Sequence, residues 1–417
     1  MVRREAAALR SGRASDIRMR ASPRCPNMRP VTTNAGSPAI PRDLRVAAAA
    51  VAGAFLLNGL SFGAWAARIP GVQAQTHLDE AGLGFALLGA GIGAVLTMTI
   101  GGALGGKLGT HVMTSATLFG CALMLPFIGA AWNFASLFGA LFVFGMSQGT
   151  MDVCMNANGL AVERAGSGPI MSRLHATWSI GAFSGALVSA QVAGLGISIF
   201  AEFCVIAVGL AAGGAALFFL MLPDRHAEGG RLRLPTGRLL LLGALALFGL
   251  LAEGSATDWS GVYLRRGLES TEEMAALAVA TFTGSMAVAR LFGDRLTVIL
   301  GPSRLLSGGA ALAALGLGIA LVFATPWIAI AGFGLMGVGL AAVVPTLFRA
   351  AGSQPGIASS AGIAAVSTMG YGGGLLGPPV IGTVAREVSL RGSLAIILVM
   401  LAILAIAGGR ALSRPSS

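Results

Sequence analysis

From about residue 45 onward, the chain alternates long apolar runs with short polar segments. Most runs hold roughly 20 apolar residues, the length that crosses the hydrocarbon core of a bilayer as an α-helix. The pattern therefore predicts an all-α membrane protein with twelve transmembrane helices, near residues 46–67, 83–105, 112–131, 134–160, 171–193, 198–222, 239–263, 275–293, 305–324, 327–349, 358–383 and 393–413.

Polar stretches set the predicted domain boundaries. Residues 1–43 are rich in Arg, Ser, Pro and Ala and show no helical or strand period, so we expect a disordered cytoplasmic tail. The longest internal polar stretch, 223–238, follows the sixth run and is predicted to be a cytoplasmic linker. It separates an N-terminal bundle of six helices, 44–222, from a C-terminal bundle of six, 239–413.

The two predicted bundles resemble each other in sequence. Three short patterns recur in the same order, each roughly 190 residues later, which indicates a duplicated unit of six helices. They are Ser61-x-x-x-Trp65 with Ser255-x-x-x-Trp259, the Gly105 segment with the Gly293 segment, and Ser179-Ile180-Gly181 with Thr368-Met369-Gly370.

Composition supports a membrane protein and excludes several other classes. The chain is 55% hydrophobic and 11% charged, whereas a soluble domain carries about a quarter charged residues. The net charge of +11 could suggest a nucleic-acid partner, but the basic residues lie in the tail and beside apolar runs, so we expect contact with the lipid bilayer and no nucleic acid. No P-loop, catalytic constellation or metal-ligand spacing of the four cysteines is present, so we predict no enzyme activity, cofactor, metal or disulfide framework.

The basic residues also predict an orientation. With both termini in the cytoplasm, 23 of the 28 Lys and Arg residues lie on the cytoplasmic side and 5 lie outside. Without the tail, the balance is still 13 against 5. The positive-inside rule therefore favours an even number of spans and cytoplasmic termini.

A duplicated chain of six plus six helices with a basic central loop resembles the major facilitator superfamily of transporters. Arg290-Leu291-Phe292-Gly293-Asp294-Arg295, placed here between the eighth and ninth helices, resembles the loop signature of that superfamily. The resemblance implies two pseudo-symmetric bundles that alternate in access, with Asp294 and Arg295 as gating residues. The equivalent segment after the second helix has Gly106 in place of the acid.

A narrower resemblance is to the fucose/proton symporter group and its bacterial inner-membrane relatives. The segment from Asp152 to Asn156 on the fourth helix is similar to the acid-x-x-x-Asn element of that group, and Val344-Pro345-Thr346 on the tenth helix to its Tyr-Pro-Thr element. Ala66 occupies the approximate place of an acid of the sugar symporters, so no particular sugar is implied. The resemblance implies proton-coupled symport of a small polar solute across the bacterial inner membrane.

Ionisable side chains inside the spans are the candidates for proton coupling, because each costs roughly 2.5–3.5 kcal/mol to insert. Asp152 lies well inside the fourth run with Asn156 one turn further on, and it could exchange a proton or belong to a fixed ion pair. Glu253 lies in the middle of the seventh run and could bind a proton or line water. We predict that Asp258 lines water and that Glu202, at the start of the sixth run, is interfacial.

The candidates for solute binding are aromatic and amide side chains on helices that line the central cavity in this superfamily. Indole and phenol rings suit sugars and other small polar solutes, although Trp and Tyr also mark membrane interfaces. His175, on the inner half of the fifth helix, is a candidate for gating or proton relay. The predicted binding residues are Asn58, Trp65, Asn156, Trp178, Trp259 and Tyr371.

Three functions remain open at this point. The favoured one is a monomeric symporter whose partners are a small solute and protons. A proton-driven exporter of drugs or metabolites with the same fold is the alternative, although the Gly-x-x-x-Gly-Pro pattern common in exporters falls on the eleventh helix, at Gly373 to Pro378, and not on the fifth. A membrane sensor that transports nothing would need an output domain or tail, for which only residues 1–43 are available.

Overall fold

The structure is a computed structural model that describes residues 42–167, 170–224, 237–354 and 359–413. Nearly all of the predicted tail, 1–43, and most of the predicted linker, 223–238, lie outside these residues. The described residues form thirteen α-helices. They are α1 (Arg42–Thr76), α2 (Glu80–Leu108), α3 (Thr110–Gly129), α4 (Phe134–Val162), α5 (Met171–Gly194), α6 (Ile199–Leu220), α7 (Arg238–Val262), α8 (Glu272–Leu300), α9 (Pro302–Phe323), α10 (Pro326–Leu340), α11 (Val343–Gly352), α12 (Ser359–Glu387) and α13 (Leu390–Ser413).

Ten helical segments of the described chain are long and apolar enough to cross a membrane, with α10 and α11 counted as one. The other two predicted spans, α5 and α12, have 24 and 29 residues, so at 1.5 Å per residue both exceed a hydrocarbon core of about 30 Å. These two helices are rich in Ser, Thr and Gly, which lowers their hydropathy. All twelve predicted runs therefore coincide with helices of spanning length.

The tenth predicted span is broken into α10 and α11 by Pro345. A proline lacks the N–H that would bond to the carbonyl four residues earlier, and its ring collides with that carbonyl. The carbonyl in question belongs to Ala341, and the break lies at Ala341 and Ala342. A single proline thus accounts for the one interruption inside a predicted run.

Helix packing repeats between the two halves of the described chain. In the first half, α1 packs on α5, α2 packs on α4, and α3 packs on α4 and α6. In the second half, α7 packs on α12, α8 packs on α10, and α9 packs on α10 and α13. Between the halves, α5 packs on α8 and α2 packs on α12. The same arrangement occurs twice, so the fold consists of two pseudo-symmetric bundles of six spans.

Successive spans run in opposite directions, so α1 and α13 have their outer ends on one face of the bundle. We call this side the termini face and the opposite side the far face. On the far face, five helices begin with a polar side chain that accepts a hydrogen bond from a backbone N–H. Asp79 accepts from Gly82 at 2.7 Å, and α4, α6, α8 and α13 are capped in the same way by Asn133, Ser198, Thr271 and Ser389. Such caps satisfy N–H groups that a helix start leaves unpaired.

Small residues bring helices of one bundle into close contact. Gly89 and Gly93, one turn apart on α2, lie against the backbone carbonyls of Phe138 and Phe142 on α4. A Cβ at Gly89 would lie 2.9 Å from the Phe138 carbonyl oxygen, and Gly93 has less room still. In lipid, where apolar burial does not drive helices together, such close backbone packing supplies the association energy.

Candidate functional site

A cavity of about 310 Å³ lies between the two halves. The first half contributes residues of α1, α2 and α5, and the second half residues of α7, α8 and α12. Its polar and aromatic lining consists of Phe62, Trp65, Trp178, Ser179, Glu253, Thr257, Asp258, Phe282, Thr283 and Arg290. Three of the four aromatic rings come from the first half, and the charged groups come from the second.

An ion pair crosses the cavity wall. Arg290 Nη2 on α8 lies 3.2 Å from Glu253 Oε1 on α7, and both side chains are about a quarter exposed. Arg290 Nη1 also donates to Ser179 Oγ on α5, at 3.2 Å. Arg290 was predicted to lie between the eighth and ninth helices, but α8 includes it and continues for ten residues beyond it to Leu300. One guanidinium therefore bonds to both halves inside the cavity.

Trp178 is held in place by a buried chain of amides. Its Nε1 donates to Asn58 Oδ1 at 2.7 Å, and Asn58 Nδ2 donates to Gln148 Oε1 and to Met151 Sδ. Asn58 is 5% exposed and does not line the cavity. The predicted solute-binding amide therefore lies behind the wall, where it positions the indole ring that does line it.

The other predicted aromatic residues lie in different environments. Trp65 lines the cavity, and the ring of Trp178 lies 5.6 Å from that of Phe62. Trp259 is fully buried on α7, next to Gly382 of α12, and does not line the cavity. Tyr371 is half-exposed on α12 and also lies outside the cavity lining, although it is within electrostatic range of Asp152 and Glu253.

The two predicted proton-coupling residues are not brought together. Glu253 lines the cavity, whereas Asp152 and Asn156 do not. Asn156 Nδ2 donates to Asp152 Oδ1 at 3.2 Å and to the Asp152 carbonyl at 2.8 Å, so this pair is bonded along its own helix. Within the described residues, Asp152 has no cationic partner. Asp258, predicted to line water, lines the cavity.

The predicted gating residues lie towards the termini face. His175 is exposed on α5, and its ring meets the edge of Phe55 at 5.4 Å. Arg295 is exposed on α8 and borders a groove between α5 and α8. The side chain of Asp294 lies outside the described part of the structure. The expected loop around these two residues is absent, because α8 extends to Leu300.

A buried charge cluster that was not predicted from the sequence lies near the far face. Arg68, 2% exposed, binds Glu202 of α6 through Nε at 2.6 Å and Glu272 of α8 through Nη1 at 3.1 Å. It also donates to the Ile197 carbonyl at 3.1 Å, while Ser189 donates to Glu202. Glu202 was predicted to be interfacial, but it is buried inside the protein and only 4% exposed. Opposite charges at the ends of three spans were visible in the sequence, but their pairing over 134 and 204 positions was not.

The halves are joined at the far face. Besides Arg68 with Glu272, Arg266 of the second half lies 3.2 Å from Glu80 of α2 and donates to the Leu78 carbonyl. On α2, Gly84 lies so close to the Pro378 carbonyl of α12 that no Cβ fits between them. These contacts close the far side of the cavity.

No family model matches the chain, but several relatives are similar to it along most of its length. The uncharacterised transporter y4wD of Sinorhizobium fredii is 35% identical over 347 residues, which cover 82% of this chain and 92% of the relative. An uncharacterised MFS-type transporter of Yersinia pestis is 34% identical over 365 residues, or 87% and 94% of the two chains. Membrane protein MosC of Rhizobium meliloti is 34% identical, with 86% and 88% covered.

Solved structures agree with these relatives in fold. A mutant of the nucleoside transporter NupG superposes with a TM-score of 0.70 at 14% identity, covering 88% of this chain and 100% of the other. A bacterial homologue of the human lysosomal transporter Spinster, inward-facing and unoccupied, also superposes with a TM-score of 0.70. It is 15% identical, and the match covers 90% of this chain and 98% of the other. None of these comparisons tests the narrower resemblance to the fucose/proton symporter group, which stays a prediction. From its relatives, its twelve spans and its two packed bundles, the chain is a multi-pass membrane protein that belongs to the major facilitator superfamily of transporters.

Proposed function

We propose that this transporter moves a small polar solute by alternating access and couples that movement to proton symport. The observation that carries the proposal is the Glu253–Arg290 ion pair, which lies in a cavity between the two halves and is bonded to Ser179 of the opposite half. Charged side chains inside spans are costly, which makes this pair a candidate for a functional role.

Protonation of Glu253 would release Arg290. A neutral acid no longer holds the guanidinium through charge, and Arg290 then bonds more freely to Ser179 or to a solute. Ser179 belongs to α5 of the first half and Glu253 to α7 of the second. Which of the two Arg290 binds is therefore linked to the relative position of the halves. A proton on Glu253 and a solute in the cavity would thus favour the same rearrangement.

Asp152 is the second proton site in this proposal. Its side chain is half-buried, its hydrogen-bond partner is the neutral amide of Asn156, and no cation of the described chain pairs with it. An ionised acid in a span without a cation costs roughly 2.5–3.5 kcal/mol, and binding a proton removes the charge. Tyr371 of α12, in the other half, lies within electrostatic range of Asp152.

The cavity suits a small polar solute. Its volume of about 310 Å³ lies at the lower end of the range for small-molecule sites, roughly 300–1,000 Å³. Its lining combines aromatic faces with charged and hydroxyl groups, which matches a compact molecule with an apolar and a polar surface.

We further propose that the termini face is cytoplasmic, that the protein lies in the bacterial inner membrane, and that it acts as a monomer. The basic residues beside the spans support this orientation through the positive-inside rule. Fusing alkaline phosphatase or a fluorescent protein to the C-terminus tests it. Fluorescence without phosphatase activity is expected, and the reverse would contradict it.

Proteoliposomes test the coupling. With an inward proton gradient, we expect accumulation of a labelled solute from a panel of sugars, polyols and amines, together with acidification of the lumen. In the variants Asp152→Asn and Glu253→Gln, gradient-driven accumulation should fall at least about tenfold, while exchange of solute persists. Glu387→Gln, at an exposed position on the far face, is the matched control and should leave accumulation unchanged.

The direction of proton movement separates this proposal from its alternative. Solute entering with protons supports symport, whereas solute moving against protons would indicate the exporter of the same fold. Undiminished accumulation in both variants would contradict the proton-site assignment.

A further inference from the structure

The cavity offers hydrogen-bond acceptors far more than donors. The hydroxyls of Thr257 and Thr283 donate to carbonyls of their own helices, at 3.0 and 2.9 Å, and the hydroxyl of Ser179 donates to the His175 carbonyl at 3.1 Å. Trp178 donates to Asn58 behind the wall. Each of these hydroxyl oxygens still has a lone pair that can accept a hydrogen bond.

The charged groups of the lining also favour a ligand that donates hydrogen bonds, because acids outnumber cations. Two acids, Glu253 and Asp258, face one cation, Arg290. Arg290 is bonded to Glu253, so its charge is already matched. Asp258 has neither an ion pair nor a hydrogen bond within the described residues, although it lines the cavity. What remains in the site is one carboxylate without a partner.

Aromatic faces lie in the same cavity. Phe62 and Trp178 are 5.6 Å apart between ring centroids, and Trp65 adds a third ring from α1. Cations are attracted to such faces within about 6 Å of the ring centroid, most strongly to Trp. The indole N–H of Trp65, which has no partner in the described chain, and the remaining N–H groups of Arg290 are the donors left for a ligand.

We propose that the solute carries a protonated amine, which binds Asp258 through a charge-assisted hydrogen bond and lies against these aromatic faces. A ligand of this kind supplies hydrogen-bond donors, of which the lining has few, and the positive charge that Asp258 lacks, whereas a carboxylate would meet two acids and one arginine that is already paired. The inference rests on the proposed function of the cavity as the solute site and names the chemical class of the solute.

Matched sets of solutes test this class. The full-length protein, purified in lipid nanodiscs at pH 7, is titrated with 6-amino-6-deoxyglucose, glucose and glucuronate, and with the corresponding amine, alcohol and acid on a three-carbon polyol. Binding is measured by calorimetry and by the shift in melting temperature. We expect at least one amine to bind at least about tenfold more tightly than its alcohol, and the acids to bind most weakly.

The variant Asp258→Asn assigns the effect to one residue. It keeps the size and shape of the side chain, and its own melting curve checks that it folds. We expect the affinity of the amine to fall at least about tenfold and that of the matched alcohol to stay unchanged. Glu387→Gln is the control and should alter neither. Failure of every amine to bind, a preference for alcohol or acid, or an amine affinity unaffected by Asp258→Asn would each overturn the inference.

The proteoliposome assay keeps this failure apart from that of the proposed function. If a neutral or acidic solute is accumulated with protons, the coupling stands and the amine specificity is overturned. If an amine binds through Asp258 but is not accumulated under a proton gradient, the specificity stands and the coupling is overturned.

Discussion

Trp178 owes its position in the cavity wall to the side chain of Asn58. Replacing Asn58 by alanine removes the acceptor of the indole N–H and the donor to Gln148, so both groups lose a partner in a buried place. We expect a loss of about 1–3 kcal/mol in the free energy of unfolding and weaker solute binding. Unfolding in mixed micelles and calorimetry measure these effects. In a double-mutant cycle with Trp178→Phe, a coupling energy near zero would contradict the bond.

Arg68 has one buried and one exposed partner, and these should differ in their contribution to stability. The side chain of Glu202 is 2% exposed, so Glu202→Gln leaves a buried guanidinium without its closest charge and should cost on the order of 3–5 kcal/mol. Glu272 is 42% exposed, and Glu272→Gln should cost less than about 1 kcal/mol. Unfolding of both variants in mixed micelles tests the contrast, and equal losses would contradict it.

Single positions also show where prediction from sequence ends. Trp65 and Trp259 occupy matching places in the repeat, yet Trp65 lines the cavity and Trp259 is buried against α12. Spacing identifies residues that share a face of a helix, but it does not say which face meets the partner helix. Glu253 could be identified because a charge in an apolar run needs a reason, whereas Arg290 was assigned to a loop because the polar end of α8 looked like the end of a span.

At the level of helices, the ion pair between Arg68 and Glu272 should control how closely α1 and α8 approach on the far face. Without the Glu272 charge, we expect the far ends of the halves to separate in part of the population. Spin labels at the exposed positions His77 and Glu269, in a background with serine for cysteine, report this distance. Glu272→Gln should add a longer component, whereas Glu387→Gln, whose ion pair lies within one half, should not. Identical distributions would show that the pair does not hold the halves.

The contact between α2 and α12 can be tested by adding one methyl group. Gly84→Ala places a Cβ against the Pro378 carbonyl, so the halves can no longer approach as closely on the far side. We expect slower transport and a longer distance between the same labels, with little change in folding. Gly139→Ala on α4 is the matched control, because its Cβ would meet no atom within 4 Å. Equal transport rates in the two variants would contradict the proposed role of this contact.

Across the whole molecule, the apolar runs were sufficient to predict the bundle, because the length of a span is fixed by the bilayer. The repeat of packing between the halves follows the weak sequence repeat, and α5 and α12 were predicted although their polar residues lower their hydropathy. Contacts between the halves were not predictable. Arg68 with Glu272 and Arg290 with Ser179 join positions 204 and 111 residues apart, and no local pattern specifies such partners.

The unequal exposure of the two acids beside Arg68 has a kinetic consequence. At Arg68, separation of the halves breaks only the bond to Glu272, since Glu202 lies in the same half as Arg68 and can stay bound. The partly exposed pair of Arg68 with Glu272 contributes about 1 kcal/mol at most, so by itself it favours the closed population by no more than roughly fivefold. Arg68 keeps one counter-charge when this pair breaks. The pair can therefore favour a closed far side without preventing it from opening during turnover.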